Sequence, residues 1–210
     1  MPGGMSNYLE NAVINAVLRN VTYTSPATVY VGLHNGPTGD TGANEIAGEA
    51  YIRMAATFDP PSGGVTQNTA AITFVDLPAA TLYGLSIWDL SAGGNCLFTG
   101  WMGNHKWQAA TSALDDTITC PAHGYIDTDR VVVTVENAEE GALPNPLDED
   151  TVYFVVNAAT DTFKLSLGSG GAAVNLTTLG NFSARKVTPK TLGIHDNIYL
   201  AIAAIVCALR

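Results

Sequence analysis

Residue types able to carry chemistry are sparse in this chain: four histidines, three cysteines and nineteen carboxylates are spread over 210 residues. Acid–base or nucleophilic catalysis needs several such groups converging on one point. The local signatures that announce convergence, G-x-S-x-G, H-E-x-x-H, a phosphate-cradling glycine loop and a dinucleotide fingerprint, are missing from the text. His34, His105, His123 and His195 each stand at a strand end or beside turn residues, and none has a second His or Cys at metal-ligand spacing. His123, in PAHGY, reads as a turn residue that packs its ring, and His105, in GNHKW, as a hairpin cap or a partner contact. Asp127 with Asp129, and Asp148, Glu149 and Asp150, offer hard oxygen ligands suited to calcium. Lacking the alternating D-x-[DN]-x-[DN]-G loop, they read as solvated acidic turns. Cys96, Cys120 and Cys207, odd in number and without C-x-x-C spacing, argue against a disulfide framework and a zinc site, and read as small buried apolar groups. No catalytic residue, cofactor or metal is assigned, and the chain is expected not to be an enzyme.

Trp88, Trp101 and Trp107, with Tyr83 and Phe98, are suited to an aromatic carbohydrate platform, but their place in strands favours core or subunit contact. The N-x-S/T triplets at Asn20, Asn175 and Asn181 carry little weight. Hydrophobic residues make up 47% of the chain and charged residues 13%, against roughly 25% charged in an average globular protein. A surface this poor in charge is expected to be covered in part by neighbours. The net charge of −10, with nine Lys and Arg scattered apart from the pair Arg185 and Lys186, disfavours nucleic acid and anionic lipid as partners. No basic n-region and apolar h-region open the chain, so no secretory signal is expected, and synthesis in a reducing cytoplasm fits the thiols. The longest apolar run, residues 198–209, falls short of the roughly 20 that a membrane helix needs.

The elements that must position these residues begin with a helix. Asn7 and Glu10 have capping-box spacing, and Leu9, Ala12, Val13, Ala16 and Val17 form one apolar stripe, while Ile14 and Leu18 project from the other side. A helix apolar on two sides invites a second partner. Short strands follow at 28–33, 51–58, 70–75, 82–88 and 96–102, divided by Gly, Pro, Asn and Asp clusters, which is the pattern of an all-β sandwich or barrel. Residues 34–48 read as a long surface loop available for contacts, and DPPSGG at 59–64 as a turn. From residue 114 the text changes, and up to residue 178 it carries eleven of the nineteen acidic residues, with strands at 130–136, 152–157 and 162–167 and a hairpin connector at 157–161. Residues 198–209 are expected to form a buried strand rather than a helix.

The segment SNYLENAVINAVLRNVTYTSPATVYVGLH resembles the N-terminus of a family of small bacteriophage virion proteins, tail fibre-like, with Met5 where the likeness starts and Met1 to Gly4 as an extension or an earlier start. PAHGY, LP, TVYFVVNAATDTFKLSL and AAVNLTT are similar to a β-module that recurs in tail, spike and other surface proteins of phages. Together they imply a jelly-roll-like β-sandwich, residues 1–113 with 187–210, preceded by a short helix and interrupted by an inserted small β-module, residues 114–186. The resemblance also implies a structural protein on the outer surface of a phage particle, working as a homotrimer. At about 3.3 Å per extended residue a compact chain of this length does not span a fibre, and no heptad, collagen or β-helix repeat supplies a shaft. A trimeric capsid decoration (cement) protein bound to the major capsid protein is therefore the first expectation. The alternative is a tail fibre or receptor-binding tip protein recognising host surface glycan.

Overall fold

The computed structural model describes residues 4–103, 105–135 and 141–208. The alternative start at Met1, the end of the 130–136 strand and Leu209 lie outside them. β1 (Gly4–Met5) leads into α1 (Asn7–Arg19). The N-cap is Ser6, not Asn7: Ser6 Oγ accepts the Leu9 amide at 3.3 Å, and Asn7, already helical, gives its own amide to Asp40 Oδ1 at 2.7 Å. Ser6 prevails because its extended backbone sets a short hydroxyl over the free amides of the first turn. Asn20 ends the helix in the left-handed region, φ 55°, which asparagine tolerates, and its amide closes on the Asn15 carbonyl.

Strands β2 (Val29–His34), β3 (Met54–Ala56), β4 (Val65–Gln67), β5 (Ile72–Leu77), β6 (Ala80–Leu82), β7 (Gly84–Trp88) and β8 (Cys96–Trp101) follow. Next come β9 (Gln108–Ser112), β10 (Ile118–Thr119), β11 (Arg130–Thr134), β12 (Tyr153–Val156), β13 (Thr162–Ser166) and β14 (Asn181–Val187). The chain finishes with β15 (Lys190–Leu192), β16 (Asp196–Leu200) and β17 (Val206–Ala208). The all-β class with one short N-terminal helix is as its punctuated strands imply. Two compact units result, one of residues 103–188 and one of residues 4–102 with 189–208.

In the split unit, residues 4–102 with 189–208, an antiparallel five-stranded sheet has the order β1-β8-β7-β2-β3, and three ribbons pair β15 with β6, β16 with β5 and β17 with β4. Period-two alternation turns Val31, Leu33 and Ile87 to one side, where they share a core with Phe74 and Leu77 of β5, Leu82 of β6, Leu192 of β15 and Ile198 of β16. Sheet and ribbons are thus two layers over one core. Likeness to a jelly roll extends to that layering, since the second layer is made of two-stranded ribbons.

Residues 198–208 depart from the single buried strand expected there. Asn68, fully buried, breaks the run: its Nδ2 donates to Ala201 O at 2.8 Å, its Oδ1 accepts the Ile205 amide at 2.8 Å, and its carbonyl accepts the Ala203 amide at 3.0 Å. Residues 201–204 turn, and Ile202 is left 62% exposed between β16 and β17.

The other unit is a closed barrel of six strands, β10-β13-β12-β11-β14-β9. Ile118, Val131, Val133, Val155, Phe163, Leu165 and Phe182 fill it, and closure removes free edges. β9, expected in the first domain, completes the barrel: Ala110 pairs with Phe182 and joins its core. The unit accordingly starts ahead of residue 114 and runs past 186. Phe163 is 1% exposed, so Phe163→Ala should lower the unfolding free energy of the barrel by about 3–5 kcal/mol in urea titrations. Ile126→Ala, at a side chain 66% exposed, should stay within about 0.5 kcal/mol of the parent.

Candidate functional site

Strand β2 is buried on both faces, although only one meets the apolar core. Its second face, Gly32 and His34, lies beside Ser86 and Trp88 of β7 under the 34–53 segment, and a polar layer fills the space. His34 Nδ1 lies 2.7 Å from the Ala43 carbonyl, which only accepts, so Nδ1 carries the ring proton. Nε2 is then the acceptor, and Ser86 O–H donates to it at 2.6 Å while Ser86 Oγ accepts the Trp88 indole N–H at 2.5 Å. Burial pushes His34 below its ordinary value, in keeping with this neutral tautomer. Hydrogen-bonded Ser and His are the makings of a nucleophile, but Ser86 is 1% exposed and His34 0%, so no substrate reaches them in this conformation. Their arrangement fastens residues 34–48 to the sheet, with Asn35, Thr41, Asn44 and Ala47 still exposed.

Arg53 completes the layer. Its guanidinium lies 3.4 Å from the Trp88 ring centroid, donates through Nε and NH2 to the two Glu45 oxygens at 2.8 and 2.7 Å, and through NH1 to the carbonyls of Gly93 and Leu90. Burial alone would raise the Glu45 carboxyl; hydrogen bonds from Arg53 and Tyr51 outweigh it and hold the group below its ordinary range. A Cβ on Gly32 would come within 2.8 Å of Ser86 Oγ, and one on Gly42, at φ 70°, would strike the Trp88 ring. The layer therefore admits only glycine at both places.

The outer side of α1 is the opposite case. β1 pairs with β8, Ser6 N–H donates to the Leu97 carbonyl at 2.9 Å, and Ser6 O–H donates to the Cys96 carbonyl at 2.5 Å, so the root of the helix is fixed to the sheet. Leu9 alone in the helix is fully buried, with Ala12 and Ala16 half-buried. Val13 and Val17, expected on the buried stripe, are exposed, as are Ile14 and Leu18: Ile14 is 52% and Val17 and Leu18 each 75% exposed. Val21, just past the cap, is exposed as well but lies in a hollow with Tyr8, Ala12 and Asn15, away from Ile14 and Leu18. The second apolar side seen in the sequence is unpartnered in the single chain, and part of the first joins it.

The remaining candidates are accounted for by local structure. His123 Nδ1 accepts the Tyr125 amide at 2.8 Å and its ring packs on Tyr125 and Phe163, the packing role expected of it. His105 Nε2 lies 2.9 Å from Thr188 Oγ1, and His195 bonds Asp76 across an exposed turn. Asp127 accepts the Ala158 amide, Asp129 the Ile126 amide and the Lys186 ammonium, Asp148 the Asp150 amide, and Glu149 the Val135 amide. Among the described residues no three His, Cys, Asp or Glu side chains gather as a metal site. Cys96 and Cys120 are buried, and burial pushes the Cys96 thiol up to about 12. Trp88 lies beneath Arg53, and Trp107, in the barrel unit, has Arg185 at 5.9 Å, so these two build no common platform within either unit. Glu45 and Arg53 escaped the sequence reading, since they stand eight residues apart with Glu49 between them and share no motif.

Buried polar groups committed to bracing a sheet, beside a helix with an apolar face left in water, define a class: an all-β protein with no assembled catalytic group among the described residues. A family described as podophage GP4 fiber I protein gp80 matches residues 4–119. The chain belongs to that family and is a phage tail fibre-like virion protein. No curated protein matches it. The matched residues take in α1 and the whole five-stranded sheet and continue through β9 and β10 of the barrel. Among the described residues no helix is long and apolar enough to cross a membrane.

Two outcomes test the polar layer. Arg53→Met strands the Glu45 carboxylate and should cost about 3 kcal/mol, read as a lowered urea midpoint. His34 is held neutral, its folded pKa lying below the ordinary 6.5, so its stabilising contribution is complete above that value and is lost as pH falls from it toward the folded pKa. Lowering pH from about 7 to about 5 should therefore reduce the urea midpoint more in the parent than in His34→Gln.

Proposed function

We propose that the protein is a homotrimeric structural subunit on the outside of the virion, assembled through α1 and placed in the tail fibre apparatus. The exposed apolar row Val13, Ile14, Val17 and Leu18 carries the assembly. Taking Val17 and Leu18 fully out of water is worth roughly 1.5–3 kcal/mol each, which is why such a row seldom stays open in a working assembly. Ile14 and Leu18, four residues apart, read as a d-to-a step, and Ile at d with Leu at a shifts coiled coils toward three or four strands. A helix held on its Leu9 side by its own sheet and shared on the other between two sister helices keeps no apolar side in water.

The family's description supports the fibre placement. A second reading, a cement protein clamping major capsid protein subunits, is favoured by the build of the units: the described strands are two to seven residues long and close into a barrel and a short sheet. In the fibre placement the glycan of the host surface is a further partner. Ile14→Asp combined with Leu18→Asp should turn trimers into monomers in sedimentation velocity, with an unchanged circular dichroism spectrum; trimers that persist would remove α1 as the seam. Copies per virion separate the placements, a few tens or fewer for a fibre and hundreds for a shell.

A further inference from the structure

Four of the nine Lys and Arg, namely Lys106, Arg130, Arg185 and Lys186, and two of the four histidines fall in the barrel unit within residues 105–130 and 185–186. The barrel brings these segments together: β11 and β14 set Arg130 opposite Val187 and Val131 opposite Lys186, and His105 reaches Thr188. The same ranges also hold Asp115, Asp116, Asp127 and Asp129, so their charge is balanced where the chain as a whole carries −10. Within the unit lies a cavity of about 210 Å³ lined by His105, Lys106, Gln108, His123, Tyr125 and Lys186. We propose, resting on the host-glycan partner of the fibre placement, that this cavity binds one acidic sugar residue through its carboxylate or phosphate oxygens.

The lining supplies donors and little to oppose an anion. Lys106 is exposed, Gln108 brings an amide, and Lys186 is oriented by Asp129 at 2.7 Å, which leaves the ammonium two further protons to give. In the wall, the Tyr125 amide donates to His123 Nδ1 and so leaves the ring proton on Nε2. That Nε2–H, in a residue 6% exposed, has no hydrogen-bond partner among the described residues. The positive field is felt by His105, which partial burial and then Lys186 and Arg185 hold below its ordinary value. The volume admits about one ring, so recognition concerns a single charged residue rather than a long polyanion. Nucleic acid fits poorly, because the rest of the surface repels a phosphate backbone.

The test uses the full chain in calorimetric titration at low salt with three sugar probes: trigalacturonate, glucose 6-phosphate and neutral maltotriose. Inorganic phosphate alone is titrated beside them. The expected result is saturable binding of one or both acidic sugars, no binding of maltotriose, and at least tenfold weakening by Lys106→Glu. Lys190→Glu, a cation of the other unit, should bind as the parent does. Preference between the two acidic sugars tells carboxylate from phosphate. Amide shifts in NMR should map binding to residues 105–108, 123–125 and 186. Equal heats from neutral and acidic sugars, unimpaired binding by a folded Lys106→Glu variant, or inorganic phosphate binding as tightly as either acidic sugar would overturn the proposal.

Discussion

The Arg53 guanidinium, laid on Trp88 and clamped by both oxygens of Glu45, is the contact on which the sheet of the split unit depends. One face of β2 and β7 is covered by an ordinary apolar core. The other would face water, or a loosely held loop of more than a dozen residues, were it not for this layer. Because the pair is largely withdrawn from solvent, its net worth is modest compared with a well-packed apolar replacement, yet loss of one member leaves a buried charge unmatched. What the pair supplies above all is a single arrangement: residue 53 has to meet residue 45, and the chain between them has to lie across the sheet. β3 is short for the same reason, since Tyr51 and Arg53 are drawn into the layer before regular pairing begins at Met54.

That fixed sheet explains how a helix can remain apolar on its open side. α1 is rooted by Ser6 and β1 on β8, and β8 is paired to β7, whose Trp88 lies in the polar layer. The helix is thus held by one end, with Leu9 as its buried anchor, and does not need its other apolar residues to stay folded on the body. They remain exposed in the single chain. The net charge of −10 opposes the approach of copies in general, whereas residues 11–18 of the helix carry no charge.

Much of the fold was legible in local signals. Gly, Pro and Asp clusters marked strand ends, and alternation identified β2, β5, β7 and β8 to within a few residues. The helix was legible by its period, but its cap was displaced by one residue because Ser6 and Asn7 are both good caps and only tertiary contacts, Asp40 for Asn7 and the Cys96 carbonyl for Ser6, separate them. Asn68 was invisible as a breaker of residues 198–208, being more than a hundred residues distant in the chain. The polar layer was hidden for a like reason: Glu45, Arg53, Ser86 and Trp88 have no common spacing. The exposed helix could be read early because amphipathicity is a local property, whereas the surfaces that cover it are not.

Hydrogen–deuterium exchange of the α1 amides across a concentration series of the purified chain tests self-association through this helix most directly. Expected is protection of residues 13–19 that rises with protein concentration while β2 and β7 stay protected throughout. Fast exchange of residues 13–19, the same at every concentration, would contradict it.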